Sequence, residues 1–449
     1  MSDGVRMTRV FTAGPSSVER EVSLAEASAR VLRATEMLGL RPELEELAPE
    51  LEGLGNGDDP TAWCCELLDS DDVAQPWAMG WGKGLREEAR VGALFEALEH
   101  FLTGPAQFAT AEVRLIPAGQ VAEQLAGEAS AALLAQTPDE ELACWRYTAL
   151  RGGRELDVPV YVSCPWYAED GSRLLRERTG DRYDYRAVGR YAINSGSAVG
   201  VTEDEAIVHA LNEVIERDAF SLLVIRAFLT DGYVPTRIDP RTLPADLADL
   251  HAYVQQRVRT TVYLLDMTTE LGVPSTFAYV PPTADRPHLR GAGTSLSSRY
   301  SAHRALTELL QGFLIKENQP PTGPPHGYLE ALRPHPVLYR CGQLDLTAHL
   351  DHAPGTAFTD RPSPAGLPAH LELLIATLAE HGFTPYRRQV RTLPGGVTAV
   401  HVFVPGLEHF MVICQGIPVL PGPRGRRARS AAAASQGTSP QLARKIEAV

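Results

Sequence analysis

Helix-like and strand-like periods alternate along the chain. Residues 23–38 (SLAEASARVLRATEML), 86–103, 203–228, 297–316 and 367–382 repeat apolar positions every three or four residues, the period of a helix with one buried face. Ser23 is placed to cap the first of them, with Glu26 completing a capping box. Residues 158–164 (VPVYVSC), 260–266 (TTVYLLD), 275–281 (STFAYVP) and 398–404 (TAVHVFV) are short and rich in β-branched and aromatic side chains, which predicts strands. Interleaving of the two predicts an α/β or α+β fold, helices packed on mixed sheets. Inside three helical stretches the chain writes nearly the same heptad: ALFEALE at 93–99, ALNEVIE at 210–216 and ALTELLQ at 305–311. Their separations are too unequal for a repeat array.

Punctuation divides the chain into three parts. Residues 1–60 hold the first helix and an acidic stretch, RPELEELAPELEGLGNGDDP (41–60), that reads as a mobile connection. Residues 61–423 show no linker and form the principal domain, with Pro-rich surface excursions at 319–325 and 361–368. Beyond Pro423 a basic run, RGRRAR (424–429), leads into SAAAASQGTSPQ, so 424–449 is expected to be a basic, Ala-rich disordered tail.

Composition narrows the class. The 449 residues are 44% hydrophobic and 22% charged, ordinary values for a globular chain. The net charge of −14 argues against a protein that coats nucleic acid. No apolar run reaches the ~18 residues of a membrane span, and MSDGVRMTRV lacks the layout of a secretion signal, so a cytoplasmic location is expected. Cys64, Cys65, Cys144, Cys164, Cys341 and Cys414 form no C-x-x-C pair, which offers neither a zinc site nor a disulfide framework.

Chemistry enters with the heptads. On a helix, residues three or four apart lie within about 60° of each other. Glu96 and Glu99 therefore share a face, as do Glu213 and Glu216, and as do Arg304, Glu308 and Gln311. Glu205 stands eleven residues before Glu216, close to three turns, and joins that line. Glutamate on a helix is commonly a solvated flank. Like charges three apart repel, however, so pairing them gains nothing unless a cation sits between. Each helix also follows a Gly-rich approach: GWGKG (80–84), SGSAVG (195–200) and GAG (291–293). Such glycines let main-chain N–H groups reach an anion at a helix N-terminus, while carboxylates further along suit Mg²⁺. The combination describes a nucleotide–magnesium site, although GWGKG is not a Walker A loop.

GWGKGLREEARVGALFEALEHF (80–101) resembles the first signature of the YcaO family, and SGSAVGVTEDEAIVHALNEVIERDAF (195–220) is similar to its most characteristic stretch. GAGTSLSSRYSAHRALTELLQ (291–311) and HVFVPGLEHF (401–410) resemble its third and late motifs, so the likeness runs over about residues 80–423. The resemblance implies a YcaO-type fold whose helices converge on ATP and Mg²⁺. It implies ATP-dependent activation of backbone amides in a ribosomal precursor peptide, giving azolines, thioamides or amidines. It assigns Glu96, Glu99, Glu205, Glu213, Glu216 and Glu308 to Mg²⁺, with Arg217 and Arg304 on phosphates. Lys83 and Ser195 join the nucleotide contacts, and Gln311 orients a ligand; Arg217, Arg304, Glu308 and Gln311 form the catalytic set. A homodimer and a separate ThiF-like leader-binding or TfuA-like partner are expected.

Departures from the family pattern are confined. Val201 and Ser195 stand where the family has asparagines, His100 where it has arginine, and Ser295 and Ser297 where it has histidine and aspartate. Val201 removes a polar contact to nucleotide or metal, which keeps open a second possibility: a catalytically weak YcaO-like scaffold that binds peptide or a partner enzyme. An ATP-dependent factor acting on a folded protein is a third. Pro418, Pro421 and Pro423 echo the P-x-P-x-P tail with which azoline-forming members reach into their own site, and so lean towards azoline formation.

Overall fold

The structure, a computed structural model, describes residues 19–47, 59–319, 323–324 and 326–435. Helix α1 (Leu24–Met37) is capped at Ser23, whose Oγ accepts from the Glu26 N–H at 3.3 Å; the Glu26 carboxylate turns to Arg30 rather than closing a box. Strands β1 (Arg41–Glu46), β2 (Thr61–Leu68) and β3 (Ala74–Gly84) then form an antiparallel sheet with β3 at its edge. The acidic stretch expected to be a mobile connection thus begins as a strand. Exposed Glu43 and Glu45 alternate with half-buried Leu44 and Glu46, a period of two that the acidity conceals. Residues 48–58 lie outside the described residues.

Helix α2 (Arg86–Thr103) leads to β4 (Arg114–Pro117), β5 (Glu141–Ala149), β6 (Glu155–Pro159), β7 (Ser197–Gly200) and the 27-residue helix α3 (Glu203–Leu229). Pro159 ends β6, and the predicted strand continues instead as a helical turn, Val160–Ser163. A short apolar run carries no period long enough to separate the two. Next come β8 (Thr236–Ile238), α4 (Ala245–Val258), β9 (Tyr263–Asp266), β10 (Ser275–Val280), β11 (Leu289–Thr294) and α5 (Ser298–Asn318). The chain ends with β12 (Gly355–Thr356), α6 (Leu367–Glu380), β13 (Tyr386–Thr392), β14 (Thr398–Phe403) and α7 (Pro423–Ser435). One sheet runs β4-β5-β13-β14-β7 with β6 added on β5; another runs β11-β10-β9-β8-β12. Every ladder is antiparallel except β12 on β8, so the fold is α+β. Among the described residues no helix is long and apolar enough to cross a membrane.

Three strand–helix units organise the molecule: β3–α2, β7–α3 and β11–α5. In each, the helix folds back onto the strand before it, and glycine permits the contact. A Cβ on Gly82 would stand 1.6 Å from the Ala89 carbonyl oxygen, and one on Gly80 would stand 2.2 Å from the Ala97 nitrogen. Gly291 and Gly293 meet the α5 backbone at 2.1 Å in the same way, and Gly200 meets the Ala206 nitrogen at 2.6 Å. The Gly-rich approaches are therefore packing devices: the missing side chains make room for a helix backbone.

The C-terminal stretch expected to be disordered is ordered as far as Ser435; residues 436–449 lie outside the described residues. Arg424 accounts for the difference. Its Nε and Nη2 donate to the wholly buried Asp218 of α3 at 2.6 and 2.8 Å. The Glu408 carboxylate accepts from the N–H groups of Gly422 (3.2 Å) and Gly425 (2.8 Å), anchoring the first turn of α7. A basic composition read alone gives no sign of a buried acid waiting for it. Nearby, Glu128 accepts from the Gly406 N–H at 2.7 Å, and burial pushes its carboxyl up to about 8, with Glu408 adding to the rise.

Gly82→Ala should lower unfolding free energy by at least about 2 kcal/mol, because neither backbone can yield, whereas Gly171→Ala, with nothing within 4 Å, should fall within about 0.5 kcal/mol of wild type in the same denaturant titration. Glu128 supplies a pH test. Its folded pKa lies above the ordinary 4.5, so the unfolded chain gives up the proton first and stability falls as pH rises from about 4.5 through about 8. Glu128→Gln keeps an acceptor for Gly406 and cannot ionise, so its stability relative to wild type should climb across that window. A flat difference between pH 5 and 8 would exclude a protonated Glu128.

Candidate functional site

The three strand–helix units open onto one cavity of about 1330 Å³. Helix α2 lines it with Glu96, Glu99 and His100, α3 with Glu205, His209, Glu213, Glu216 and Arg217, and α5 with Arg304, Glu308 and Gln311; Lys83 enters from β3. The near-identical heptads thus have one destination. Of the residues assigned to the site, Ser195 does not line the cavity: it is buried with its Oγ unpartnered, and its neighbour Asn194 lines the cavity instead. A nucleotide contact from Ser195 is therefore withdrawn.

Charge in the cavity is unbalanced, nine glutamates against six lysines and arginines among the lining residues. Lys83 pairs with Glu308, and the Glu308 Oε1 also accepts from the Ala292 N–H at 3.3 Å. Burial alone would raise Glu308, but Lys83 and Arg217 hold its carboxyl down at about 2. Arg217 reaches Glu213 at 3.4 Å and Glu216 at 3.5 Å. Burial still prevails at three of the acids. Burial raises Glu96 against the pull of His100 and Lys83; it raises Glu99 well above the ordinary range, with Glu213 and Glu96 adding to it; and it raises Glu216, with Glu308 adding. Gln311 donates to the Trp81 carbonyl at 2.9 Å, tying α5 to the edge of β3.

The N-terminal segment supplies residues that no motif singles out. Glu19 and Arg20 line the cavity although they precede the principal domain. Glu19 accepts from Ser295 and from Asn212 Nδ2 (3.2 Å), and the Glu21 N–H donates to Glu205 at 2.9 Å. No period marks this stretch, so nothing in the pattern points to it. His209 is also new; burial, then Arg304, Arg20 and Lys83, push its imidazole down to about 3, so it stays neutral.

This donor set fits Mg²⁺ with a polyphosphate. Hard carboxylate oxygens predominate, and burial raises several of them. The Nε atoms of Arg20 and Arg304 are buried in the lining without partners, as donors awaiting an anion would be. Among the described residues no group of three His, Cys, Asp or Glu side chains forms a ready metal cage. Mg²⁺ keeps waters and takes one or two carboxylates plus substrate phosphates, so it needs none.

Val201 departs from its expected place. Its side chain is wholly buried in an apolar cluster with Val91, Val397 and Ala399 and does not line the cavity. The position meets Glu205 through its main-chain N–H instead.

The family model described as "YcaO cyclodehydratase, ATP-ad Mg2+-binding" matches residues 81–408. A protein of Rhizobium leguminosarum bv. trifolii, described as an uncharacterized protein in the tfuA 3' region, is 32% identical over 142 residues, 30% of this chain and 33% of that protein. The structure of YcaO from Methanopyrus kandleri bound with AMPPCP and Mg²⁺ superposes with a TM-score of 0.61 at 19% identity, covering 90% of this chain and 97% of that one. A heterocyclase in complex with substrate and cofactor gives a TM-score of 0.62 at 16% identity over 89% of this chain and 54% of the other. The chain thus spans about a third of the rhizobial relative and half of the heterocyclase.

Val201→Asn should destabilise the protein by about 1–3 kcal/mol, the cost of burying an amide without partners, and should leave affinity for an ATP analogue with Mg²⁺ unimproved. Calorimetric titration beside thermal unfolding checks both; tighter binding would return the side chain to the nucleotide site.

Proposed function

The chain belongs to the YcaO family, and on that premise we propose that it activates backbone amides of a ribosomally made peptide with ATP and Mg²⁺. It works in the cytoplasm as part of natural-product biosynthesis. What carries the reading is the convergence of six glutamates and two arginines, drawn from three separate helices, on one cavity.

ATP supplies the phosphoryl group that turns an amide oxygen, a poor leaving group, into phosphate. The residues of the chain position and neutralise. Glu96, Glu99, Glu205, Glu213, Glu216 and Glu308 would hold Mg²⁺, and Arg217, Arg304 and Arg20 would grip phosphate oxygens. Lys83, held on Glu308, can exchange that partner for a phosphate with little movement. Neutral His209 adds no positive charge and leaves the phosphates to the guanidinium groups. A nucleophile bonds to the amide carbon as the C–O bond breaks, and the oxygen departs with the phosphoryl group.

Two observations favour thioamide over azoline products. Pro423 opens α7, which docks through Arg424 on Asp218, and no described residue beyond Cys414 lines the cavity, so the proline echo does not enter the site. The rhizobial relative is named for a tfuA region, which supports a TfuA-like sulfide-delivering partner. The scaffold alternative rested on Val201, whose side chain lies in the core.

The test is phosphate release and product mass with peptides and proteins encoded beside the gene. Exchange of oxygen for sulfur is expected, whereas loss of one water would mark azoline formation. Glu213→Gln and Glu216→Gln should each lower ATP turnover at least about 100-fold, as when charge neutralisation at a transferring phosphoryl group is lost. Near wild-type turnover in both would sink the assignment.

A further inference from the structure

The cavity changes character along its length. Its inner part is the carboxylate band; its solvent-open end is cationic. Arg290 at the start of β11 and Lys316 near the end of α5 line that end, beside buried His288 and Tyr328, which is 41% exposed. The Arg290 guanidinium lies 4.7 Å above the Phe220 ring, so its plane is already set. Among the described residues neither Arg290 nor Lys316 has an ion-pair partner. Glu330, the acid of this end, is turned away to Arg333 at 2.6 Å.

The positive charge there is crowded, although Arg290 also acts on Glu308 of the carboxylate band. Burial lowers Lys316, and Arg290 and Arg286 lower it further; burial, then Arg290 and Lys316, push His288 down to about 3. Arg286 Nε and His326 Nδ1, which add to this field, are buried without hydrogen-bond partners. Cations that repel one another at the mouth of an acidic cavity cost stability unless an anion is meant to join them. The phosphates have other unpartnered donors in the cavity lining, Arg20 and Arg304.

We propose that this mouth is a carboxylate-binding subsite, taking an acidic side chain or the C-terminal carboxylate of the peptide whose amide is activated deeper in the cavity. It rests on the amide-activation reading for the identity of the occupant. Arg290 supplies a fixed bidentate fork, Lys316 a mobile charge at the rim, and Tyr328 an aromatic face for the adjoining peptide plane.

The probes are three Gly-Ser octapeptides carrying an uncharged fluorophore: one with a single glutamate and an amidated C-terminus, one with a free C-terminus, and one with neither. Anisotropy is read with the full chain, with and without AMPPCP and Mg²⁺. At least one carboxylate probe should bind about tenfold more tightly than the neutral probe, the effect of one charge-assisted hydrogen bond pair, and which one does so identifies the source. The preference should shrink with salt. Arg290→Gln with Lys316→Gln should abolish it, Arg290→Lys should retain part of it, and AMPPCP affinity should stay within about twofold in all variants. Equal binding of the three probes, or a preference that survives the double substitution, overturns the subsite. A parallel loss of AMPPCP affinity overturns it too, by giving the cations to the nucleotide. If wild type prefers a carboxylate probe but binds no AMPPCP, the subsite stands and the nucleotide reading falls.

Discussion

A helix can press its backbone against a strand only where the strand carries no side chains on the facing side. Gly80 and Gly82 on β3, Gly200 on β7, and Gly291 and Gly293 on β11 meet that requirement, and each admits the helix that follows it to backbone contact. Because the strands belong to three different sheets, three helices are drawn inward and their polar flanks meet in one space. Nothing else in the molecule fixes so many side chains at once. A methyl group on any of these glycines would press on the helix behind it and disturb that helix's share of the cavity's charged side chains.

The carboxylates oppose the fold they decorate. Glu96, Glu99 and Glu216 are all raised by burial, which measures how poorly the protein alone satisfies them. Internal cations cover only part of the set: Lys83 on Glu308, Arg217 between Glu213 and Glu216. The rest of the compensation must come from outside the chain, and the same deficit that weakens the empty fold strengthens the hold on a divalent cation and its polyphosphate. Stability and ligand binding draw on one set of charges.

Much of this was readable from residues. Helix α2 begins and ends where its period does, and α3 and α5 agree with the pattern to within two residues. The acids were legible because helical spacing sets direction as well as contact. The packing role of the glycines was not legible, because close approach to a phosphate and close approach to a backbone leave the same mark in a sequence. Arg20 and Glu19 carry no periodic context, so only the folded chain brings them to Asn212 and Ser295. Val201 was taken from its motif position, but just past the end of β7 its side chain packs into the core while its main-chain N–H meets Glu205. The tail failed for a related reason: Arg424 has meaning only beside Asp218, 206 positions earlier.

That last pairing also sets an order of assembly. Asp218 is buried in the middle of the helix that carries Glu213, Glu216 and Arg217, and its guanidinium partner is made long after it. While the chain is still being synthesised, α3 holds an acid that the interior will not accept ionised and unpaired. A chain ending before residue 424 would leave Asp218 without its guanidinium partner in the same helix that directs Glu213, Glu216 and Arg217 into the cavity.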